Sequence, residues 1–305
     1  MSKDQTHISV MLAEALEALH IREDGVYIDA TFGLGGHTKA ILSQLGPHGQ
    51  LHAYDKDKSA ALRAQSAEFD DPRFTFHHAS FSSLGKDMID SGLHGKIQGI
   101  LFDLGDSSPQ LDNAERGFSF MQDGPLDMRM NNTQGFTAAD WVNGTTEQEM
   151  ADAIYQYGDE RLSRRIAKAI VRARKLEKIT RTLQLAQIVA GALPRKYSGK
   201  HPATRTFQAI RIVVNNEYAD IISALEQSME VLAEHGRLVA LSFHSGEDRL
   251  VKHFIRHSKI PSAQTQNHVA RLLQVGRVTK ASDREISSNP RARSVKMRVA
   301  EKVMQ

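Results

Sequence analysis

Hydrophobic residues along the chain form short runs that alternate with amphipathic stretches. The short runs are typical of buried strands, and the amphipathic stretches have the 3.6-residue period of helices. Their regular alternation predicts an α/β fold with a parallel, doubly wound sheet and right-handed crossovers. The predicted strands are 26–30, 50–54, 74–77, 97–103 and 237–243, and the predicted helices are 10–19, 38–45, 58–68 and 221–233.

The stretch between residues 103 and 221 has no strand pattern, and its periodicity is helical. We therefore predict an inserted helical domain at 111–212, while 1–110 and 213–305 form the α/β domain. A final alternating segment predicts a last strand at 294–301. The apolar face of one predicted helix in the insertion consists of Leu162, Ile166, Ala169, Ile170 and Ala173.

Composition narrows the class of protein. The 305 residues suffice for one or two domains, and 40% hydrophobic with 25% charged residues is ordinary for a soluble globular chain. There is no cysteine, which excludes disulfides, thiolate zinc sites and a cysteine nucleophile. Because the N-terminus lacks an apolar signal segment and no apolar run approaches the length of a membrane span, we expect a cytoplasmic protein.

The formal net charge of +3 hides a strong asymmetry. Residues 112–160 carry ten acidic side chains and two arginines, whereas 161–211 carry fourteen lysines and arginines and one acidic residue, Glu177. A basic block of this kind favours binding to nucleic-acid phosphates. The alternative is a solvated helix face. The candidate RNA contacts are Arg161, Arg165, Lys168, Arg172, Lys175, Arg205 and Arg211.

A glycine-rich turn follows the first predicted strand. Asp29 ends that strand, and Gly33, Gly35 and Gly36 lead into a helix that begins near His37. Asp55 ends the next strand, twenty residues after Gly35. Glycines let the backbone approach a ligand and a distal acid binds ribose hydroxyls, so this spacing predicts a nucleoside-binding βαβ unit.

The details of the turn distinguish between two ligands. A dinucleotide site requires a third glycine where this chain has Thr38. Gly33 and Gly35 stand four and six residues after Asp29, a spacing that resembles the turn of amino-methyltransferases, which bind S-adenosylmethionine. A nicotinamide-dependent oxidoreductase on the same scaffold remains the less favoured alternative.

The fourth predicted strand ends in a polar segment, 103–110. An exocyclic amine of a nucleobase is a poor nucleophile because its lone pair is delocalised into the ring. Groups that accept hydrogen bonds from the amine while positioning its nitrogen would promote methyl transfer. Asp103 and Asp106 are candidate acceptors, and Ser108 and Pro109 stand in the place of the D/N/S-P-P-Y/F loop of amino-methyltransferases.

Several runs, among them DATFGLGGHT, ILFDLGDSSPQLDNAERGFSFMQDGPLDMRM and SFHSGEDRLVKHF, resemble the RsmH/MraW family over nearly the whole chain. That family comprises bacterial enzymes that methylate N4 of a cytosine in the decoding region of 16S ribosomal RNA. The resemblance implies a Rossmann-like class I S-adenosylmethionine methyltransferase sheet with an inserted domain for substrate recognition. It also implies direct transfer to the amine, without a covalent intermediate, on RNA of the small ribosomal subunit.

The resemblance also assigns residues to the cofactor. S-adenosylmethionine would contact Gly35, Gly36, His37, Asp55, Phe81, Asp103 and Gln110, together with Gly33 of the same turn. The catalytic candidates are Asp103, Asp106, Ser108 and Pro109. No metal is expected, and a homodimer is one alternative for the oligomeric state.

Three positions depart from the family pattern. Leu34 stands where the family often has an arginine. Asp106 replaces a small apolar residue, and Gly246 replaces a leucine. An added carboxylate could polarise an amine or repel RNA, and the glycine removes an apolar contact at a helix start. Because of Asp106, an RNA-binding or ribosome-assembly protein with the same fold and little turnover remains a second hypothesis.

Overall fold

The chain folds into two compact units. The computed structural model describes residues 9–194, 201–261 and 269–304. Unit 1 comprises 1–105 and 218–305, and unit 2 comprises 106–217. These boundaries lie five residues outside the predicted insertion, 111–212, at each end. The first and last residues of unit 2, Asp106 and Glu217, both pair with Arg211 inside that unit.

Within the described residues, unit 1 is built on one sheet of eight strands. In chain order they are β1 (Val26–Asp29), β2 (Gln50–Tyr54), β3 (Phe74–His77), β4 (Ile97–Asp103), β5 (Leu232–Ser242), β6 (Lys259–Pro261), β7 (Val269–Gln274) and β8 (Lys296–Met304). The spatial order is β3-β2-β1-β4-β5-β8-β7-β6. Pairs from β3 to β5 are parallel, and those that involve β6, β7 and β8 are antiparallel.

Thirteen α-helices lie within the described residues. They are α1 (Leu12–Leu19), α2 (Gly36–Leu42), α3 (Lys58–Ala64), α4 (Leu84–Asp90), α5 (Ser108–Asp112), α6 (Ala138–Gly144), α7 (Glu147–Gly158), α8 (Ser163–Arg174), α9 (Thr182–Ala192), α10 (Thr204–Asn215), α11 (Glu217–Val231), α12 (Ser245–His257) and α13 (Asp283–Ser288). Short 3₁₀ turns occupy 67–69, 81–83, 114–116 and 290–294.

The sheet separates two hydrophobic cores because successive side chains of a strand point to opposite faces. In β4, Ile100 packs with residues of α4, α11 and α12, whereas Leu101 packs with residues of α1 and α2. Leu238 and Val239 of β5 divide in the same way. Burial on both faces explains why these strands occur in the sequence as continuous apolar runs.

Unit 2 is helical and has its own core. The predicted apolar face of α8 packs inward, with Ile166 and Ile170 fully buried among side chains of α7, α9 and α10. Met150 and Ile154 of α7 lie in the same cluster. The amphipathic pattern of this segment therefore corresponds to a helix bundle with a solvated outer face.

The predicted strands coincide with β1 to β5 to within a few residues, and 294–301 overlaps β8. Two differences stand out. The pattern predicts neither β6 nor β7, and α11 ends at Val231, where the pattern predicts a helix over 221–233. The chain enters β5 directly at Leu232, which pairs with Ile97 of β4, so strand pairing overrides local helical periodicity here.

Candidate active site

The carboxyl ends of the parallel strands bring the polar residues of unit 1 to one edge of the sheet. Asp29 ends β1, Asp55 follows β2, and Asp103 ends β4, which is paired with β1. The strand order reverses between β1 and β4, because the chain first builds outward to β3 and then returns. Ligands of open α/β sheets bind at such a switch point.

Asp29 organises the glycine turn from within. Its side chain is fully buried, and its two oxygens accept hydrogen bonds from the Thr31 amide at 3.1 Å and the Thr38 hydroxyl at 2.7 Å. Thr38 occupies the position of the third glycine in a dinucleotide motif, and its hydroxyl here fastens α2 to the end of β1. Asp29 is therefore a structural residue.

The glycines are required by close approach and by backbone conformation. Gly33 and Gly35 have φ of 54° and 81°, which disfavour residues with a side chain. A Cβ at Gly35 would also lie 2.9 Å from the Phe32 ring, and one at Gly36 would overlap the Ser9 hydroxyl. The turn thus leaves bare backbone at the edge of the sheet.

Asp55 closes the turn from the neighbouring strand. One carboxylate oxygen accepts from the Gly33 amide at 2.9 Å, and the other accepts from the Asp57 amide at 2.8 Å. Burial raises the pKa of Asp55 to about 6, although these two amides favour the ionised form. Each carboxylate oxygen can accept a second hydrogen bond, so Asp55 retains capacity for a hydroxyl-bearing ligand.

Asp103 carries an oxygen without a hydrogen-bond partner. Its amide donates to the Thr31 hydroxyl at 2.7 Å, and Oδ2 lies 3.7 Å from Nδ1 of His37. Oδ1 is buried, and no residue that the structure describes donates to it. The whole side chain is 25% exposed. An inward-facing acceptor at a strand end indicates a group that awaits a donor from outside the protein.

Burial and neighbouring charged groups shift the pKa of the Asp103 carboxyl. Burial raises the pKa of Asp103 to about 6; the negative charges of Asp29 and Glu247 add to the rise, while His37 opposes it. Nε2 of His37 lies 3.1 Å from the Val10 carbonyl oxygen. The ring is buried and held between that carbonyl and Asp103, so His37 orients the carboxyl from behind.

A buried glutamate lies beside this strand end, and the sequence patterns did not single it out. Glu247 is fully buried at the start of α12 and accepts from the amides of Phe243 and His244 at 2.7 and 3.3 Å. Its Oε1 lies 2.9 Å from Nε2 of His244. The structure thus gives His244 a loop-stabilising contact, and Glu247 is a second negative charge near Asp103. The sequence does carry one signal for Glu247. It stands three residues after the capping residue, His244, which is the spacing of a helix capping box.

Phe81 follows β3 in a short 3₁₀ turn. Its ring is partly buried and meets Phe102 edge to face, with 5.9 Å between centroids. Next to it, the Ser80 hydroxyl donates to Asp220 at 2.8 Å, and Lys56 pairs with the same carboxylate at 3.0 Å. These contacts fix the strand ends beside Asp55, and the Phe81 ring can offer a face to a planar ligand.

The segment 106–110 belongs to unit 2. Ser107 caps α5, and its amide donates to Oε1 of Gln110 at 3.0 Å, while Pro109 occupies the first turn. Ser108 and Pro109 are half-buried. The Gln110 side chain is buried and forms part of its own helix cap, and its predicted contact with the cofactor stays a prediction.

Two predicted roles need correction. Arg211, expected to contact RNA, is only 9% exposed and donates to both carboxylate oxygens of Glu217 at 2.8 and 2.9 Å. It also pairs with Asp106. A guanidinium that is buried and held by two carboxylates is not presented to a phosphate backbone. Asp106, for its part, is charge-paired and does not stand as an isolated acceptor for an amine.

The other predicted RNA contacts divide into two groups. Arg205 is half exposed and bound to the end of α7, through the Asp159 carbonyl at 3.2 Å and Glu160 at 3.7 Å. Residues 195–200 of the basic block lie outside the described residues. The five that lie on or beside α8 are all exposed: Arg161, Arg165, Lys168, Arg172 and Lys175.

The described part of the chain offers neither a cluster of metal ligands nor a membrane-spanning helix. No group of three or more His, Cys, Asp or Glu side chains in 9–194, 201–261 and 269–304 is arranged to hold a metal ion. In the same ranges no helix has the length and apolar character to cross a bilayer.

Comparison with known proteins gives consistent matches. The model of the MraW methylase family matches residues 4–303. A ribosomal RNA small subunit methyltransferase H of Chromohalobacter salexigens is 51% identical, over 98% of this chain and 92% of its own length. The protein of the same name from Pseudoalteromonas atlantica is 50% identical, over 99% of this chain and 100% of its own length. Among solved structures, an S-adenosylmethionine-dependent O-methyltransferase of Thermotoga maritima has a TM-score of 0.42 at 11% identity, covering 99% of this chain and 69% of that chain.

Proposed function

This chain belongs to the MraW methylase family and is an S-adenosylmethionine-dependent methyltransferase with a Rossmann-like fold, and on that premise we propose that it methylates N4 of a cytosine in 16S ribosomal RNA. Its relatives at about 50% identity are named for the RNA of the small ribosomal subunit. The observation that carries the choice of atom is the partnerless Oδ1 of Asp103, an acceptor suited to an amine.

The residues of unit 1 fit the methyl donor. The bare backbone at Gly33, Gly35 and Gly36 would hold its methionine portion, and Asp55 would accept hydrogen bonds from its ribose hydroxyls. The Phe81 ring would pack on its adenine. When bound, the donor supplies an electrophilic methyl group next to the strand ends.

Asp103 performs the acceptor chemistry. Its Oδ1 accepts a hydrogen bond from the exocyclic amine of cytosine, which turns the nitrogen lone pair toward the methyl group. The N–C bond would form as the methyl–sulfur bond of the donor breaks; the methylated amine would then be strongly acidic, and its proton would pass to the Asp103 carboxylate or to water. Because the chain has no cysteine, attack through a covalent ring-carbon intermediate of the cysteine type is excluded.

The surface around α8 provides the RNA contacts. The five predicted cations stand on the face opposite the buried Ile166 and Ile170, so they take no part in the unit 2 core. Lysines and arginines that neutralise phosphates bind RNA without sequence preference. The choice of one cytosine then rests on the target site and not on this face. The natural substrate is proposed to be the small subunit or a precursor of it.

A labelled-methyl transfer assay on small subunits that lack the modification tests this function. We expect incorporation by the wild-type protein, with N4-methylcytidine as the product in nucleoside mass spectrometry. Asp103→Asn should lower kcat by about 100-fold or more, because the amide both accepts less strongly and takes up no proton. Asp71→Asn is the matched control, since that carboxylate pairs with Arg73 at the opposite end of the sheet.

Three outcomes contradict the proposal in different ways. Methyl incorporation at another atom or another nucleoside would overturn the choice of N4. Equal rates for wild type and Asp103→Asn would remove Asp103 from the reaction. Tight binding of S-adenosylmethionine without any transfer to small subunits would favour the alternative, an assembly factor with little turnover.

A further inference from the structure

Arg211 joins the two ends of unit 2. Its guanidinium is held by Glu217 through two hydrogen bonds, at 2.8 and 2.9 Å, and by Asp106 through an ion pair. Asp106 is the first residue of the unit and Glu217 is the last. This buried cation therefore ties together both points at which the chain enters and leaves the insertion.

The same face of α10 also holds the segment that follows Asp106. Asn215 stands one helical turn after Arg211, accepts from the Met130 amide at 2.7 Å and donates to the Met128 carbonyl at 2.7 Å. The Arg116 guanidinium donates to the Met130 carbonyl at 2.9 Å. The segment 106–130 is thus anchored on α10 at its start by a charge cluster and at its end by an amide.

The energetics of this cluster favour a positional role. Arg211, Asp106 and Glu217 are all largely buried, with 10%, 19% and 7% of each side chain exposed. Desolvation offsets much of the attraction in a buried ion pair, so such pairs add little net stability but restrict geometry. A planar guanidinium with fixed donors permits few arrangements of two carboxylates, and a lysine ammonium would permit many.

We propose that Arg211 is a positioning residue for methyl transfer, which acts through Asp106 and Glu217 to hold the loop 106–110 in one arrangement. This inference rests on the proposed function. The loop carries Ser108 and Pro109 and begins three residues after Asp103 in the chain. Asp106, which differs from the family pattern, extends the arginine–glutamate pair to the start of this loop. Its charge is compensated by Arg211, and so Asp106 does not repel RNA.

The test separates donor binding from transfer. The methyl-donor residues of unit 1 do not include this cluster, and only Gln110 of the loop is a predicted donor contact, so Arg211→Lys and Asp106→Asn should still bind S-adenosylmethionine saturably in calorimetry, with a Kd that changes far less than kcat. On small subunits, kcat should fall about 10- to 100-fold in Arg211→Lys, since a displaced loop misplaces reacting groups. Asp106→Asn leaves the Arg211–Glu217 pair intact and should lose less, about fivefold.

If Arg211 and Asp106 act together, the losses in kcat of their single variants should not add in the double variant. The double variant Asp106→Asn with Arg211→Lys should be no slower than Arg211→Lys alone, because the loop has already lost its anchor. The control is Arg73→Lys, which breaks a two-bonded Arg–Asp pair just before β3 in unit 1. It should lower the unfolding temperature at unchanged kcat.

The result that would overturn the inference is a folded Arg211→Lys protein with wild-type kcat, or rates that add independently in the double variant. Equal relative losses in the Arg211→Lys and Arg73→Lys proteins would show a role in stability alone and would also overturn it. Failure of the wild-type protein to methylate small subunits would instead contradict the proposed function, and calorimetry of donor binding tells the two failures apart.

Discussion

At the scale of single residues, Asp103 shows what a strand end adds to an ordinary carboxylate. The sequence places an aspartate after a buried strand, and the structure supplies its state: a partnerless oxygen, a histidine behind it and two further negative charges nearby. The pKa of about 6 keeps the group ionised at neutral pH and yet basic enough to take up a proton.

The raised pKa predicts a trade-off between stability and activity. Between the unfolded pKa near 4 and the folded pKa of about 6, the native state holds more protons than the unfolded state, so stability falls as pH rises through this window. Asp103→Asn, which removes the charge, should be more stable than wild type at pH 8 by about 1–2 kcal/mol, allowing for partial exposure.

Urea unfolding at pH 4 and pH 8 measures this difference. The stability advantage of Asp103→Asn should disappear at pH 4, where the wild-type carboxyl is neutral. In the same pH series, wild-type kcat/KM should fall as pH drops through about 6, because a protonated Asp103 no longer accepts the amine proton. A variant that is less stable than wild type at pH 8 would mean that burial does not dominate at this carboxyl.

At the level of helices and strands, Gly246 at the start of α12 leaves the space that the Tyr218 side chain of α11 occupies. A Cβ at Gly246 would overlap the Tyr218 hydroxyl and lie 2.7 Å from its Cζ. The Tyr218 ring, near the start of α11, is partly buried against the core and lies 6.1 Å from the His244 ring. The glycine therefore makes room for the tyrosine.

Because of this close approach, we expect Gly246→Ala to destabilise the protein, whereas helix propensity alone would predict that it stabilises the protein. Gly246→Ala should gain about 1 kcal/mol from propensity but lose about 1–3 kcal/mol from overpacking, for a net loss of stability. In a Tyr218→Leu background the same change should be neutral or stabilising. Thermal unfolding of the four proteins of the cycle measures the coupling.

Gly191→Ala provides the propensity control. Gly191 lies inside α9, and a Cβ there would meet no atom within 4 Å. That variant should be stabilised. Stabilisation of the wild-type background by Gly246→Ala would show that Tyr218 moves aside at no cost and would contradict the fit.

Some boundaries of helices and strands differ from the predicted ones because strand pairing in the folded protein outweighs the local sequence pattern. The runs that became β1, β2 and β4 are recognisable because both of their faces are largely buried, which leaves a continuous apolar signal. The strand β7 has a weaker signal because it alternates and pairs only with antiparallel neighbours near the sheet edge. The end of α11 was misplaced because Leu232 is apolar in phase with the helix but pairs with Ile97.

At the scale of the whole molecule, charge is distributed by unit. The basic block falls within unit 2, and its exposed members cluster around α8 while Arg211 is used internally. The sequence count identified the block but could not separate solvated cations from buried ones, since both have the same spacing in the chain. The folded structure separates the two groups, because neighbouring helices bury Arg211 and leave the cations around α8 exposed.

The exposed α8 cations predict the salt dependence of substrate binding. Replacing Arg165, Lys168 and Arg172 by glutamine should raise KM for small subunits. It should also reduce the slope of log affinity against log salt by about 0.7–0.9 for each phosphate that is no longer neutralised. Binding of S-adenosylmethionine should be unchanged.

Lys86→Gln serves as the matched control, because that lysine is 78% exposed in unit 1 and pairs with Asp90. Its slope and KM should equal those of wild type. An unchanged slope in the triple variant would remove α8 from the RNA interface and would direct attention to the rest of unit 2.

Patterns within the chain predict the α/β class, the helical insertion, the glycine turn with Asp29 and Asp55, and Asp103 as the acceptor candidate. These features follow from periodicity and from fixed spacings within one βαβ unit, which are local in the chain. Only the tertiary structure decided that Arg211 is buried, that Asp106 is paired and that Gly246 accommodates Tyr218. Asp106 and Arg211 are 105 positions apart in the sequence and Tyr218 and Gly246 are 28 apart, and chain-local patterns do not encode which of two distant charges or side chains will meet.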